Sequence, residues 1–333
     1  APLSVLRETR ADEQTIHEGA LCCGSCLREY PSIDGLPLVV RALRAHLADQ
    51  WTSVLARDDL HETTESALGD ACGGGSALDH MRQHVSNYVF DHYGELDPAE
   101  TQLEPVPGSI SRLLGVLCDA AGELVDGPVL DLGCSVGRTS FDLAQRFSRD
   151  VLGVDLHHAK LRIAARVLRE ERVVYARRRV GLVYDRRAFA ARLPGAPRVD
   201  FWSADAAALP FTSDTFAAVV ALNLLDCARS PLDVLRECGR VLRPGGKLLL
   251  ACPYDWSSSA TPPEAWIGGH SQRGPGSGAS EPLLRALLTP GAHPGSLAEF
   301  ELVHEIDGLD WHVRLHERSS VRYRAHALIA RKR

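Results

Sequence analysis

The chain has 333 residues, 45% of them hydrophobic and 24% charged, with a net charge of −6. That length accommodates one large domain with an accessory piece, or two modest domains, and the composition is ordinary for a soluble globular enzyme with a substantial core. The acidic balance argues against a general nucleic-acid binder, no apolar run approaches the roughly 18 residues of a membrane span, and the N-terminus lacks the charged-then-apolar pattern of a secretory signal.

The nine cysteines are scattered, and Cys134 and Cys252 fall in the glycine loop or an expected buried strand. That is the usage of a reducing compartment, so a cytoplasmic location is expected. Near the N-terminus, Cys22-Cys-Gly-Ser-Cys26 followed by Tyr30-Pro-Ser-Ile-Asp-Gly-Leu-Pro37 resembles the second half of a small zinc-ribbon-like module. A structural zinc usually takes two C-x-x-C pairs. Cys23 and Cys26 make one pair, none lies upstream, and only Cys22 or His17 is at hand to complete a site, so the ligand count favours a metal-free remnant.

From Val39 to Leu60 a helical stripe (Leu43, Leu47, Trp51, Val54, Leu55) is expected to pack into the core. His61 to Gly75 is acidic and then glycine-rich, as a loop or linker would be. Residues 1–78 therefore read as an accessory region and 79–333 as the main domain. Met81 to Tyr93 reads as a helix ending in Tyr88-Val-Phe-Asp-His-Tyr-Gly94, with Gly94 as its cap. Its aromatic and imidazole groups either close over a small-molecule pocket or simply pack. A turn-rich passage from Leu103 to Ser109 and an apolar helix from Ile110 to Ala121 follow.

Val129-Leu-Asp-Leu-Gly-Cys-Ser-Val-Gly-Arg-Thr139 then sets an apolar strand, a glycine loop and a helix (Phe141 to Phe147) in the order of a nucleotide-binding βαβ unit. A second strand, Val151 to Val154, ends at Asp155, 18 positions beyond Gly137. That is near the roughly 20-residue spacing at which an acid meets a ribose. A dinucleotide loop needs G-x-G-x-x-G so that amides can approach a pyrophosphate. Here Ser135 stands between Gly133 and Gly137, and Asp131 stands just before them. A fixed carboxylate repels a pyrophosphate but suits an ammonium or sulfonium group.

After a helix from His158 to Leu168, Arg172 to Arg198 carries Arg177, Arg178, Arg179, Arg186, Arg187 and Arg192 between its ends and reads as a solvated face. It lacks the interleaved aromatics of an RNA surface beyond Tyr175 and Tyr184. Val199 to Asp205 is the third strand. Phe216 to Leu222 is apolar throughout, as in a parallel sheet covered on both faces, and ends at Asn223, and Pro231 to Leu242 is a helix. Arg243-Pro-Gly-Gly246 turns the chain into a buried strand, Lys247 to Cys252. Tyr254, Trp256 and Trp266, with Gly268 and Gly269, suggest a shaped lid. Glu281 to Leu288 is a last helix, and Phe300 to Asp307 pairs with Tyr323 to Arg331 across a connection from Trp311 to Val321.

The loop Asp131-Leu-Gly-Cys-Ser-Val-Gly137 resembles the S-adenosylmethionine loop of class I methyltransferases, as does the Arg-Pro-Gly-Gly turn. Tyr88-x-x-x-His-Tyr-Gly94, Pro253-Tyr-Asp-Trp256, Thr261-Pro, Trp266-Ile-Gly-Gly269 and His326-Ala-Leu-Ile-Ala-Arg331 narrow it. Together they resemble the C-terminal domain of ovothiol-biosynthesis enzymes, which methylates an imidazole nitrogen of a thiohistidine. The resemblance covers residues 80–333; the chain lacks a sulfoxide-synthase half and is arginine-rich at 172–198. It implies a Rossmann-like, doubly wound α/β fold with a mostly parallel seven-stranded sheet and an antiparallel last strand.

S-adenosylmethionine is then the cofactor. The expected cofactor residues are Asp131, Gly133, Ser135, Gly137, Asp155 for the ribose, Asp205 for the adenine amino group, and Asn223. Substrate candidates are Tyr88, His92, Tyr93, Asn223, Tyr254 and Trp266; His92, Tyr93 and Tyr254 are the catalytic candidates, with no metal required. His92 either orients or deprotonates the substrate or is structural. Three functions remain open: a small-molecule N-methyltransferase, a methyltransferase of RNA or protein, and a non-catalytic cofactor-binding regulator. The acidic charge and aromatic segments count against the second and the cofactor acids against the third, so a small-molecule partner is expected, without membrane or nucleic acid. Oligomeric state is not legible.

Overall fold

The computed structural model describes residues 2–42, 73–101 and 104–333. Strands β1 (Leu3–Ala11), β2 (Ile16–Cys23), β3 (Glu29–Ile33) and β4 (Leu36–Val39) precede helices α1 (Ala77–Tyr93) and α2 (Ser109–Ala121). Then come β5 (Val129–Leu132), α3 (Arg138–Phe147), β6 (Val151–Asp155), α4 (His158–Glu170), the hairpin β7 (Arg172–Val180) and β8 (Val183–Ala190), and β9 (Val199–Ala204). The chain closes with β10 (Phe216–Leu222), α5 (Pro231–Val241), β11 (Leu242–Cys252), α6 (Ser280–Leu287), β12 (Phe300–His316) and β13 (Ser319–Lys332).

Seven strands run in the order β9-β6-β5-β10-β11-β13-β12, and β13 is antiparallel to both its neighbours. The expected mostly parallel sheet is therefore present. β10 is apolar and buried at every position, because helices cover both faces and no residue meets water. Alternate side chains divide between two cores. Val129, Ala218, Val220, Leu249, Ala251 and Ala327 face α1 to α4, while Leu130, Leu132, Val219, Leu248, Leu250 and Leu328 face α5 and α6.

The sheet also crosses the division at residue 78, for β4 pairs in parallel with β9, Leu38 beside Ser203 and Val39 beside Ala204. With the antiparallel β1 to β3 the sheet reaches 11 strands. Val39, expected at the start of a helix, is thus a strand residue, and Leu43, Leu47, Trp51, Val54 and Leu55 lie outside the described residues. The Cys22–Cys26 segment forms the turn between β2 and β3, and His17 is held by Asp12 (Nε2 to Oδ2, 2.7 Å). Among the described residues no group of three or more His, Cys, Asp or Glu could hold a metal ion. No described helix is long and apolar enough to cross a membrane.

Two further expectations are corrected. Trp311 to Val321 is no loop: β12 and β13 continue through it, Trp311 lies directly opposite Tyr323, and the two rings stack at 4.8 Å. The alternation of ring and polar residues there is a strand period, and cross-strand aromatic pairs stabilise it. The arginine-rich segment is a hairpin rather than a merely solvated face. Arg177, 4% exposed, meets Glu100 through two parallel bonds (Nε to Oε2, 2.7 Å; Nη2 to Oε1, 3.0 Å) and Glu317 through Nη1 (2.8 Å). Arg314 of β12 reaches the same Glu100 at 3.1 Å, and the Arg178 amide donates to Ser86 of α1. A guanidinium with several donors can tie elements from distant parts of the chain at one carboxylate. The clamp fixes β12 beside α1, the helix that carries Tyr88 and His92.

Candidate active site

Following β5 the chain first adds strands on one side, β6 and β9, and then crosses to β10 and β11 on the other. In an open parallel sheet the crevice at such a reversal, beyond the carboxyl ends of the strands, is where ligands bind. The glycine loop occupies it. Gly133 (φ +80°) and Gly137 (φ +88°) are left-handed, and a methyl group at Gly137 would sit 2.6 Å from Ala164 and 2.7 Å from Phe201. Gly133 and Cys134 donate their amides to the Val154 carbonyl (2.7 and 3.1 Å).

Asp155 fixes the far side of the loop, accepting from the Ser135 amide at Oδ2 (2.9 Å) and from the His157 amide at Oδ1 (2.7 Å). Asp131 lies beneath, 2% exposed, its Oδ2 accepting from Thr139 Oγ1 (2.7 Å) and Ser140 Oγ (2.6 Å). Burial raises its pKa to about 6 against the lowering effect of those hydroxyls. Asp205 at the end of β9 accepts the Ala207 amide (2.9 Å) and is half-buried.

The crevice holds buried polar atoms with no protein partner: Ser135 Oγ, Oδ1 and Nδ2 of Asn223, and Asp226 Oδ1. They come from the loops after β5 and β10, which meet where Gly133 packs on Leu224, and Asn223 is itself left-handed at φ +52°. Each such atom costs about 1–3 kcal/mol if it stays unpaired. A polar ligand in the crevice removes that cost, so the donor set fits a cofactor rich in hydroxyl and amino groups.

A second wall stands between α1 and β12. Tyr88 is flanked by His84 (6.5 Å between centroids), His92 (6.4 Å) and Trp311 (6.5 Å), and Lys160 Nζ rests 3.6 Å from its ring centre. Beyond Trp311, the Tyr323 hydroxyl donates to Asp255 Oδ2 (2.8 Å), and the Asp255 amide donates to Asp226 Oδ2 (2.8 Å). His92 is 4% exposed with Nδ1 unpartnered; burial, aided by the charges of Lys160 and Arg138, lowers its pKa to about 3. His157 is lowered to about 3 by burial and by Lys160 in the same way. Both imidazoles are therefore neutral at neutral pH.

The expected site residues divide accordingly. The fold gathers Asp131, Gly133, Ser135, Gly137, Asp155 and Asn223 around one crevice and puts Tyr88 and His92 on one wall. Tyr93 is fully buried, its hydroxyl donating to the Val136 carbonyl (2.8 Å), so it holds the loop against α1. Tyr254 turns to the opposite face of the sheet, where its hydroxyl meets His326 Nδ1 (2.6 Å) and His326 Nε2 meets Glu305 (2.8 Å). Trp266 stacks on Trp256 (5.8 Å) and donates to the Thr261 carbonyl, while Trp256 donates to Ser280 of α6. The tryptophan segment is thus anchored on α6.

Sequence reasoning missed Lys160, Trp311, Tyr323, Asp226 and Asp255. Lys160 had no signal in the sequence, for its burial within His158–Leu161 of α4 is set by packing. Trp311 and Tyr323 had one only in strand register.

Residues 130–250 match the family profile described as a methyltransferase domain, a span from β5 to β11 that contains the whole crevice. Methyltransferase GfsG of Streptomyces halstedii is 29% identical over 197 residues, covering 55% of this chain and 63% of that protein. The O-methyltransferase cnsE of Penicillium expansum is 26% identical over 195 residues, covering 58% of this chain and 56% of that protein. The chain thus spans less than two thirds of the length of either relative. A solved SAM-dependent methyltransferase of Methanosarcina mazei aligns over 62% of this chain and 92% of its own, at 22% identity and a TM-score of 0.39. The segment from β5 to β11 is thus the part of the chain that matches a methyltransferase domain.

Proposed function

We propose that this protein transfers a methyl group from S-adenosylmethionine to a small molecule, an imidazole nitrogen of a thiohistidine-like metabolite. The observation that carries the donor half is the set of unpartnered buried atoms on Ser135 and Asn223 at the strand-order reversal. Gly133 and Gly137 let the loop pass close to the donor, Asp131 faces its positive end, Asp155 takes the ribose and Asp205 the adenine amino group. The bound donor supplies a methyl carbon on a sulfonium: the acceptor lone pair forms the new bond as the carbon–sulfur pair returns to sulfur.

The protein's work is alignment and exclusion of water, which in well-oriented reactions lowers a barrier by about 7–11 kcal/mol. A hydroxyl or thiol acceptor needs a base, and an efficient base has a pKa near the working pH. His92 and His157, at about 3, are too weak for that task. A neutral imidazole needs none, because its lone pair is already free. This supports nitrogen over oxygen. Tyr88, His92, Trp311 and Tyr323 form the aromatic wall for the acceptor ring, and Asp226 Oδ1 is free to accept its N–H, leaving the other ring nitrogen toward the methyl group.

Methyl-labelled donor is incubated with the protein and with thiohistidine, a phenol and thiol pool, RNA, or a protein extract. Ring-nitrogen methylation of thiohistidine, located by nuclear magnetic resonance, is the expected result. Label confined to oxygen, to RNA or to protein overturns the acceptor assignment. Tight donor binding with no transfer to any pool points instead to a non-catalytic regulator.

A further inference from the structure

Lys160 is a buried cation without a counter-ion. It is 9% exposed, and among the described residues no carboxylate oxygen forms an ion pair with it. Asp155 is its strongest electrostatic partner but forms no ion pair with it, its two oxygens each accepting a backbone amide instead. What Nζ touches is the face of Tyr88 at 3.6 Å, and the nearby His92 and His157 are neutral. Taking an ammonium out of water is costly unless an anion joins it, and a cation–π contact returns only part of that cost. Burial accordingly lowers the Lys160 pKa.

The place of this charge is as telling as its solitude. Nζ rests on the Tyr88 ring, with Asp155 and Cys134 among its electrostatic partners. From Tyr88 the wall continues through Trp311 and Tyr323 to Asp255 and Asp226. It runs from a cation, across aromatic rings, to two carboxylates, one of them with an unpartnered buried oxygen. A molecule that lies along it presents an anion at one end, a flat ring in the middle and hydrogen-bond donors at the other.

We infer that Lys160 holds a carboxylate of the methyl acceptor, so that the cleft selects acceptors carrying an acid group over the same ring compounds without one. This rests on the proposed reading of the Tyr88–Trp311 wall as the acceptor side. A carboxylate could also come from the donor's own amino-acid end, and the experiment separates the two sources.

Binding is measured by calorimetry on protein saturated with S-adenosylhomocysteine, using pairs that differ only in the carboxylate: thiohistidine against thiohistamine, and histidine against histamine. The expected result is at least tenfold tighter binding of the acid in each pair. Lys160→Met should erase that preference while S-adenosylmethionine and S-adenosylhomocysteine bind as before, and Tm should hold or rise, because an unpaired buried charge has been replaced by an apolar chain of similar length. Equal binding of acid and amine, or no binding of either, overturns the inference, as does a Lys160→Met variant that loses affinity for both donor forms. Methyl transfer to thiohistidine and thiohistamine at equal rates keeps the proposed reaction and removes Lys160's role. A carboxylate preference cancelled by Lys160→Met, with no methyl transfer, does the reverse.

Discussion

The proposed donor crevice and the proposed acceptor wall are built in opposite ways. The crevice is mostly local: Asp131 lies in β5, Gly133, Ser135 and Gly137 in the turn that follows it, Asp155 ends the next strand, and Asn223 joins them from the loop after β10. The wall is assembled from α1, α4, the loops after β10 and β11, and the β12–β13 hairpin, elements drawn from most of the length of the chain. Its parts hold together through the Arg177–Glu100–Arg314 clamp and the Trp311–Tyr323 stack. A locally built site tolerates damage elsewhere; a site assembled over distance depends on its clamps. The two should therefore fail separately.

The largest separation is expected from Glu100→Ala. It leaves Arg314, 4% exposed, without its ion-pair partner and takes from Arg177 its two-bond partner, Glu317 remaining, and breaking a buried pair in this way typically costs about 3–5 kcal/mol. Tm should fall steeply and acceptor KM should rise, while the Kd of S-adenosylhomocysteine, measured below the new Tm, changes little. A parallel loss of both affinities breaks the contrast. Asp155→Ala is the converse. It removes the anchor of the Ser135 and His157 amides, and charge-assisted bonds of this kind are worth about 1.5–3 kcal/mol each, so donor affinity should drop by on the order of 100-fold. Unchanged affinity by calorimetry would mean that the ribose lies elsewhere.

Trp311→Ala comes next. It deletes the ring between Tyr88 and Tyr323, and burial plus stacking of an aromatic amounts to about 2–3 kcal/mol. Acceptor KM should rise about 30-fold or more, with donor Kd unaltered; a shift in donor Kd instead would merge the two regions.

The smallest effect is one of pH. The Asp131 carboxyl is raised from 3.8 to about 6 by burial. A raised carboxyl favours the folded state below the unfolded value, and that contribution is lost as pH climbs through about 6. The ionised form is the one that attracts a sulfonium. Preference for S-adenosylmethionine over the uncharged S-adenosylhomocysteine should therefore grow, by on the order of tenfold, as pH rises through the Asp131 pKa, and then level off. Asp131→Asn should flatten the curve. A preference that does not vary between pH 5 and pH 8, at about a unit or more on either side of that pKa, counts against Asp131 facing the sulfonium.

How far each region could be read from the sequence follows the same division. Strand, glycine loop and helix at residues 129–147 are where the local pattern put them, because φ at Gly133 and Gly137 and the apolar runs on either side are properties of neighbouring residues. α1 begins four residues before its expected start and ends where expected. The β12–β13 connection was misread, because Trp311 and Tyr323 become an aromatic pair only when the strands are in register. The arginines of β7 and β8 looked solvated, since nothing near them in the chain announces Glu100. Tyr254 and Trp266 lay close in sequence to the expected pocket, yet Tyr254, two residues past β11 and left-handed at φ +57°, turns to His326 on the other face.

The amino-acid sequence by itself determined the α/β class, the donor loop and the acids that surround it, for these depend on dihedral angles and periodicities fixed within about twenty residues. Only the tertiary structure decided which aromatic and charged groups share the acceptor wall. Lys160 and Tyr88 are ordinary helix residues until packing brings the ammonium over the ring, and nothing short of the folded chain sets an unpaired charge opposite two carboxylates.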